Sequence, residues 1–240
     1  MRVLGIITAR AGSKGLKNKN FLEICGEPMF YHTVTAARKS NLLTDLIVST
    51  DDENILNFCA NNDVKTLKRP KNLAQDDSKI EDVLIHAVKT YEYRNEKVDI
   101  IVWMQADCPY RDQTVLDRAI NLLITNYMIF DSVSTVEMVD KRPEWLKIEK
   151  NKLLKPYIDG KFSSNRQDFE KIYRPDGHVT AIYRTFLKML KYRFPHWKEI
   201  PHTFLGQAGF IVQPKKYTMS IDTSEDFEIC ETLMKKGDEN

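Results

Sequence analysis

Short runs rich in β-branched and aliphatic residues alternate, over the first two thirds of the chain, with stretches whose apolar positions fall three and four apart. The runs suit strands and the stretches suit amphipathic helices, so their order predicts a mostly parallel sheet with covering helices. Strands are expected at 3–7, 45–49, 64–67, 99–104 and 132–136. Their apolar density implies burial on both faces. The clearest helix carries Ile80, Val83, Leu84, Ala87, Val88 and Tyr91 on one face, with Ser78 and Glu81 ahead of it in capping-box spacing. A second presents Leu116, Ala119, Ile120, Leu123 and Tyr127, and a third starts at Pro28 and turns Phe30, Val34 and Ala37 inward.

The pattern breaks over 138–177, where Pro143, Pro156, Gly160 and Pro175 interrupt charged and aromatic residues without a sustained period. This stretch reads as an inserted arm. Alternation returns at 179–183, followed by a helix near 185–192, a strand near 210–212 and a last helix. That helix opens with Thr223 and Asp226 in capping spacing, buries Phe227, Cys230 and Met234, and stops before Gly237.

With 240 residues the chain can bury one sizeable core, so a single domain over 1–240 with the 138–177 arm inside it is expected. The 36 basic and 34 acidic side chains leave a formal charge of +2, too little for a protein that coats nucleic acid. Cys25, Cys59, Cys108 and Cys230 lie far apart without CxxC spacing, which argues against a zinc site or a disulfide framework and suits a reducing cytoplasm. The apolar run 3–7 is too short for a signal core or a membrane span, so no membrane partner is expected.

The chemistry begins in the loop after the first strand, which reads Thr8, Ala9, Arg10, Ala11, Gly12, Ser13, Lys14, Gly15, Leu16, Lys17, Asn18, Lys19, Asn20. Small residues let backbone N–H groups approach a phosphate, and Arg10, Lys14 and Lys19 offer charge to its oxygens. A loop leaving the carboxyl end of a strand is where open α/β sheets bind ligands. Neither Walker A nor GxGxxG spacing is present. Read on chemistry alone, the loop is either a phosphate cradle or a solvated basic turn.

Arg10, Gly12, Ser13, Lys14, Gly15, Lys19 and Asn20 together resemble the signature that opens the cytidylyltransferases making CMP-sialic acid and related CMP-nonulosonates. The likeness continues in family order through Ser49-Thr50-Asp51-Asp52, Arg69-Pro70, Leu73-Ala74, Asp76, Gln105, Pro109, Arg111, Arg166-Gln167, Ile182-Tyr183 and the stretch from Ile221 to Phe227. The resemblance implies a three-layer, Rossmann-like and GT-A-like nucleotidyltransferase fold, an obligatory divalent cation, and a homodimer in which the arm reaches the partner. It implies transfer of CMP from CTP to the anomeric hydroxyl of an acidic keto sugar, with pyrophosphate released, as a step towards surface glycan. It places the nucleotide against Ala9, Arg10, Gly12, Ser13, Lys14, Lys19 and Asn20, with Arg69, Asp76 and Ser78 beside the base. Gln105 and Arg111 fall to the sugar side, and Arg166, Gln167 and Arg174 are candidates for the sugar carboxylate, a guanidinium fork being matched to it. For Arg69, Ser78, Arg111 and the arginines of the arm, an ordinary loop, cap or surface role stands beside this reading.

Two departures from the sialate pattern are linked. The late motif reads Ser220-Ile221-Asp222-Thr223 where those enzymes have Asp-Ile-Asp-Thr, and the central one reads Gln105-Ala106-Asp107-Cys108-Pro109 where they have Gln-Pro-Thr-Ser-Pro. The central motif is closer to the Gln-Gly-Asp-Glu-Pro of CMP-Kdo synthetases, which pair that Asp with a single late Asp. Asp107 and Asp222 are therefore expected to hold Mg²⁺ or Mn²⁺, and with Arg10, Lys14 and Lys19 to form the catalytic set. Alternatively, Asp222 caps the last helix and Asp107 makes an Asx-turn. Asp176 to Tyr183 reads Asp-Gly-His-Val-Thr-Ala-Ile-Tyr, longer than the family's Asn-Gly-Ala-Ile-Tyr, and His178 within it reads as structural rather than as a base. Two other functions share these features: a GT-A glycosyltransferase or a nucleotidyltransferase of other specificity, and a noncatalytic sugar-nucleotide-binding protein.

Overall fold

The computed structural model describes residues 1–12, 15–140, 143–158, 170–193 and 206–237. Its strands are β1 (Val3–Thr8), β2 (Glu23–Ile24), β3 (Glu27–Pro28), β4 (Asp45–Thr50), β5 (Thr66–Lys68), β6 (Ile100–Gln105), β7 (Ser132–Met138), β8 (Lys147–Lys150), β9 (Leu153–Pro156), β10 (Tyr173–Tyr183) and β11 (Ala208–Val212). The helices are α1 (Met29–Arg38), α2 (Glu53–Asn61), α3 (Ile80–Arg94), α4 (Val115–Thr125), α5 (Arg184–Arg193) and α6 (Ser224–Gly237). Seven strands form one sheet in the order β11-β7-β10-β6-β1-β4-β5. Among the described residues only β10 runs antiparallel to its neighbours in this sheet. Thr8 of β1 stands opposite Ser49 of β4 and Gln105 of β6, so three parallel strands end level at one edge.

The strand periodicity explains the layers. Along β6, Ile100, Val102 and Met104 join one core with Phe30 and Val34 of α1, Ile55 of α2 and the apolar face of α4. Ile101 and Trp103 face the other core, with Leu84 and Val88 of α3 and Leu187 and Leu190 of α5. Alternate residues of one strand thus bury against helices on opposite sides, which gives the expected three layers. A third, smaller cluster joins Ile24 and Met29 to Ile221, Cys230 and Met234, and packs α6 beside the first loop.

Several local expectations are corrected. Lys79, not Ser78, is the N-cap of α3 and makes no side-chain cap bond. The Ser78 hydroxyl instead accepts from the Gln75 backbone N–H at 2.9 Å. Tyr127 lies beyond the end of α4 and is exposed, resting edge-on against Tyr183. Helix α2 was not expected; Asp52 starts it by accepting from the Asn54 N–H at 2.9 Å. The stretch read as irregular holds the β8–β9 hairpin and the first half of β10.

Candidate active site

The level strand ends make the floor of a cleft of about 400 Å³, lined by residues that are far apart in sequence. Its volume falls in the range of small-molecule sites. After β1 the chain turns through the basic loop, and a short 3-10 turn at Lys19–Phe21 buries Lys19 and Asn20. The Ala11 N–H donates to Asp51 at 2.9 Å, and the Asn20 amide donates to the Arg10 carbonyl at 3.0 Å, so the loop is braced from both sides. Arg10 reaches across the cleft to Asp76 at 2.6 Å.

On the opposite wall the strand-end segment after β6 meets the segment before α6. The Ile221 N–H donates to the Asp107 carbonyl at 2.9 Å, which sets the two neighbouring carboxylates side by side. Both converge on one ammonium: Lys19 Nζ donates to Asp107 Oδ2 and to Asp222 Oδ1, each at 2.8 Å. Burial opposes the Lys19 charge, but the attraction of Asp107 and the bonds to both carboxylates outweigh it and raise its pKa above the ordinary lysine value. Gly15 passes so close to Asp222 that a Cβ would stand 2.3 Å from its carbonyl oxygen, so no larger residue fits there.

The helix-cap role belongs to neighbours of Asp222. Thr223 Oγ1 accepts from the Asp226 N–H at 3.1 Å, and Asp226 accepts in return from the Asp222 and Thr223 N–H groups at 3.0 and 2.8 Å. Nor does Asp107 make an Asx-turn: among the described residues its carboxylate takes Lys19 and, weakly, the Cys108 thiol at 3.7 Å. Arg10, Lys19, Asn20, Arg69, Asp76, Ser78, Gln105, Asp107 and Asp222 all line the cleft. Ala9 is buried, with its N–H spent on the Ser49 carbonyl at 3.1 Å, and Gly12 is exposed outside the lining, in the left-handed region at φ 74°. Ser13, Lys14, Arg166 and Gln167 lie outside the described residues.

Arg69 is buried and donates to the Ser49 carbonyl at 2.7 Å. Burial lowers its pKa to about 10, with Asp51 opposing and Arg10 reinforcing the shift, so it is still a cation at neutral pH. Arg111 does not line the cleft: it is buried beneath it and donates to Thr33 and to the carbonyls of His178 and Gln105. Arg174 pairs with Glu137 in a separate groove, which meets the cleft at Asp222. His178 is fully buried, and its pKa is driven well below the ordinary value by burial and then by Arg111, which suits a structural imidazole. Thr8, Gly15, Gln75 and Trp103 also line the cleft, with the Trp103 indole donating to Thr8 Oγ1 at 2.9 Å. Thr8 and Trp103 sit at or near strand ends, and that position was the signal available for them.

Residues 4–236 match the family model described as cytidylyltransferase. The chain is 26% identical over 242 residues to the pseudaminic acid cytidylyltransferase of Campylobacter jejuni subsp. jejuni serotype O:2, covering 100% of this chain and 99% of that one. It is 25% identical over 236 residues to the N-acylneuraminate cytidylyltransferase of Escherichia coli O18:K1:H7, covering 98% of this chain and 52% of that protein. In fold it is similar to the solved structure of CMP:2-keto-3-deoxy-manno-octonic acid synthetase complexed with CTP, with a TM-score of 0.71 at 16% identity over 99% of this chain and 100% of that one.

Proposed function

The chain belongs to the cytidylyltransferase family, and from that premise we propose that it transfers CMP from CTP to the anomeric hydroxyl of an acidic keto sugar, a nonulosonate or related ulosonate. One observation carries the reading: Arg10, Lys19, Asp107 and Asp222 meet in a single cleft at the carboxyl ends of the parallel strands, with both carboxylates on one cationic point. The first loop, through Arg10, Ser13, Lys14, Lys19 and Asn20, holds the triphosphate, with Ala9 anchoring the loop on Ser49 and Gly12 giving it its left-handed turn, while Arg69, Asp76 and Ser78 border the base. Names of the relatives, pseudaminic acid and N-acylneuraminate cytidylyltransferases, favour a sugar acid as acceptor.

The donor set fits a divalent cation. Two carboxylate oxygens already converge on the Lys19 ammonium, and hard cations take one or two carboxylates together with phosphate oxygens and water. Among the described residues no group of three or more His, Cys, Asp or Glu competes as a metal site. Asp107 and Asp222 would hold Mg²⁺ or Mn²⁺. Bound there, the ion neutralises charge on the triphosphate and on the departing pyrophosphate. The sugar oxygen attacks the α-phosphorus in line, its proton is released, and the bond to the pyrophosphate oxygen breaks without a covalent enzyme intermediate. Arg10, Lys14 and Lys19 stabilise the charge that develops, Gln105 serves the sugar from within the cleft, and Arg166, Gln167 and Arg174 are assigned to the sugar carboxylate, Arg174 from the adjoining groove. Arg111 supports Gln105 from behind.

The same reading makes 1–240 one catalytic domain with 138–177 as an arm that docks on a second copy. The β8–β9 hairpin supports this: both strands are exposed along their whole length, and an isolated hairpin is marginal without a partner surface. Among the described residues no helix is long and apolar enough to cross a membrane, and the four cysteines are free, which favours the cytoplasm. A screen of CTP, UTP, GTP and ATP with magnesium against nonulosonic and octulosonic acids tests the proposal. Pyrophosphate is expected only with CTP and an acidic sugar; release without any sugar, or with another nucleotide alone, would refute it.

A further inference from the structure

Beneath the sugar side of the cleft, the ladder between β7 and β10 breaks. Pro175 pairs with Val136 and Thr180 with Ser134, so Asp176, Gly177, His178 and Val179 bulge opposite the single residue Thr135. The bulge is pinned by the buried Asp176 carboxylate, which accepts from the Thr135 hydroxyl at 2.5 Å, the His178 N–H at 3.0 Å and the Gln213 amide at 2.6 Å. Two side chains lash it to the segment that follows β6. The Cys108 thiol, which shares its one hydrogen between Asp107 and the Asp176 carbonyl, lies 3.8 Å from the latter, and Arg111 donates to the carbonyls of both His178 and Gln105.

At the apex, Gly177 has φ 76° and lies directly against the Gln105 side chain. A Cβ there would fall 2.8 Å from Gln105 Cδ and 2.9 Å from both Nε2 and Oε1. Gln105 lines the same cleft as Lys19, Trp103 and Asp107, and its carboxamide has two donors and an acceptor to offer. Such a group reads hydroxyl and acylamino patterns, provided that it is held in one orientation.

We propose that Asp176 and Gly177 are positioning residues that set the Gln105 carboxamide and thereby determine which sugar acid the cleft accepts. The inference rests on the reading of the cleft as a CMP-transferring site. Gln213 adds a detail: its Oε1 has no partner among the described residues, so a turned amide can accept from an Asn in place of Asp176. Asp176→Asn should therefore keep the bulge that Asp176→Ala loses.

The test combines a substrate-free readout with kinetics. In ¹⁵N spectra the Gln105 side-chain amide, assigned by its loss in Gln105→Ala, should shift in Gly177→Ala, Gly177→Asn and Asp176→Ala but stay in place in Asp176→Asn. Asn tolerates the left-handed backbone yet carries a Cβ, so the Gly177→Asn variant separates crowding from backbone strain. With the sugar acid that the screen identifies, the Gly177 variants should raise its KM about tenfold, the size of one displaced hydrogen bond, and leave the KM for CTP within about twofold. In a Gln105→Ala background the Gly177→Ala step should add nothing, because the effect passes through Gln105. An unmoved amide in folded Gly177 variants, equal losses for CTP and sugar, or additive effects would overturn the proposal. Wild-type protein that turns over no sugar acid would instead count against the function proposed above, and the amide spectra would still decide whether Gly177 sets Gln105.

Discussion

Lys19 illustrates how one residue changes meaning once neighbours are in place. In sequence it belongs to a basic loop; in the fold its ammonium lies nearly buried between Asp107 and Asp222. Asp107→Asn or Asp222→Asn leaves that ammonium half-paired and, on the proposed function, removes a ligand of the divalent cation, so each should lower kcat/KM for CTP by about 100-fold or more and raise the magnesium requirement. Steady-state kinetics over a magnesium series checks this; a variant with wild-type rate and metal dependence would exclude its carboxylate from the site. His178 carries a separate prediction. Its folded pKa lies well below 6.5, so the unfolded chain binds a proton that the folded chain refuses. Stability is present above the unfolded pKa and falls as pH drops through the window below it, by about 1.4 kcal/mol per pH unit at most. Urea melts between pH 7 and 5 should show this slope, and His178→Gln should flatten it. The resemblance paired Asp107 with Asp222, but the Lys19 ammonium bonded to both carboxylates was not legible, because that contact depends on the 3-10 turn that buries Lys19 and on the Ile221 N–H reaching Asp107. Arg111 misled for a similar reason: nothing in a sequence tells a buried guanidinium that bonds carbonyls from one that faces a ligand.

At the scale of elements, the buried strands were readable because both faces of β1 and β6 are apolar, and α3 and α4 because their stripes are continuous. Helix α2 escaped notice because Asn54, Asn57 and Asn61 dilute its short apolar stripe and its start depends on the Asp52 cap. The β8–β9 hairpin was illegible for the opposite reason. Every residue of its strands is exposed, so no alternation marks a buried face, and its turn residues Asn151 and Lys152 take positive φ without the Asn-Gly signature. An element exposed on both faces gains little stability alone. Replacing 147–156 with a short Gly-Ser linker should leave the sheet folded and convert a dimer to a monomer in light-scattering chromatography; an unchanged mass would place the dimer contact elsewhere, or show that there is none.

On the scale of the whole molecule, sheet order creates the site. Strand β1 lies between β4 and β6, so the first loop, the 51–52 corner and the 105–107 corner share one edge, and the segment leading into α6 brings Asp222 to them. Charge follows the same geometry: a chain of net charge +2 concentrates Arg10, Lys19 and Arg69 around one cleft and balances them with Asp76, Asp107 and Asp222. Such a balanced site suits a triphosphate that arrives with its own cation better than a bare anion. The fold class was legible because alternation of strands and helices reports layers directly; the choice of sugar was not, because the residues that would read it come from β6, the β10 bulge and the arm. The most direct test of the central claim uses the active sugar acid labelled with ¹⁸O at its anomeric hydroxyl, together with CTP and magnesium, and follows ³¹P spectra of the product. Attack by that hydroxyl on the α-phosphorus predicts the label in the bridge between sugar and CMP, with unlabelled pyrophosphate released. A product without label at phosphorus, while the unreacted sugar acid still carries it, would contradict it.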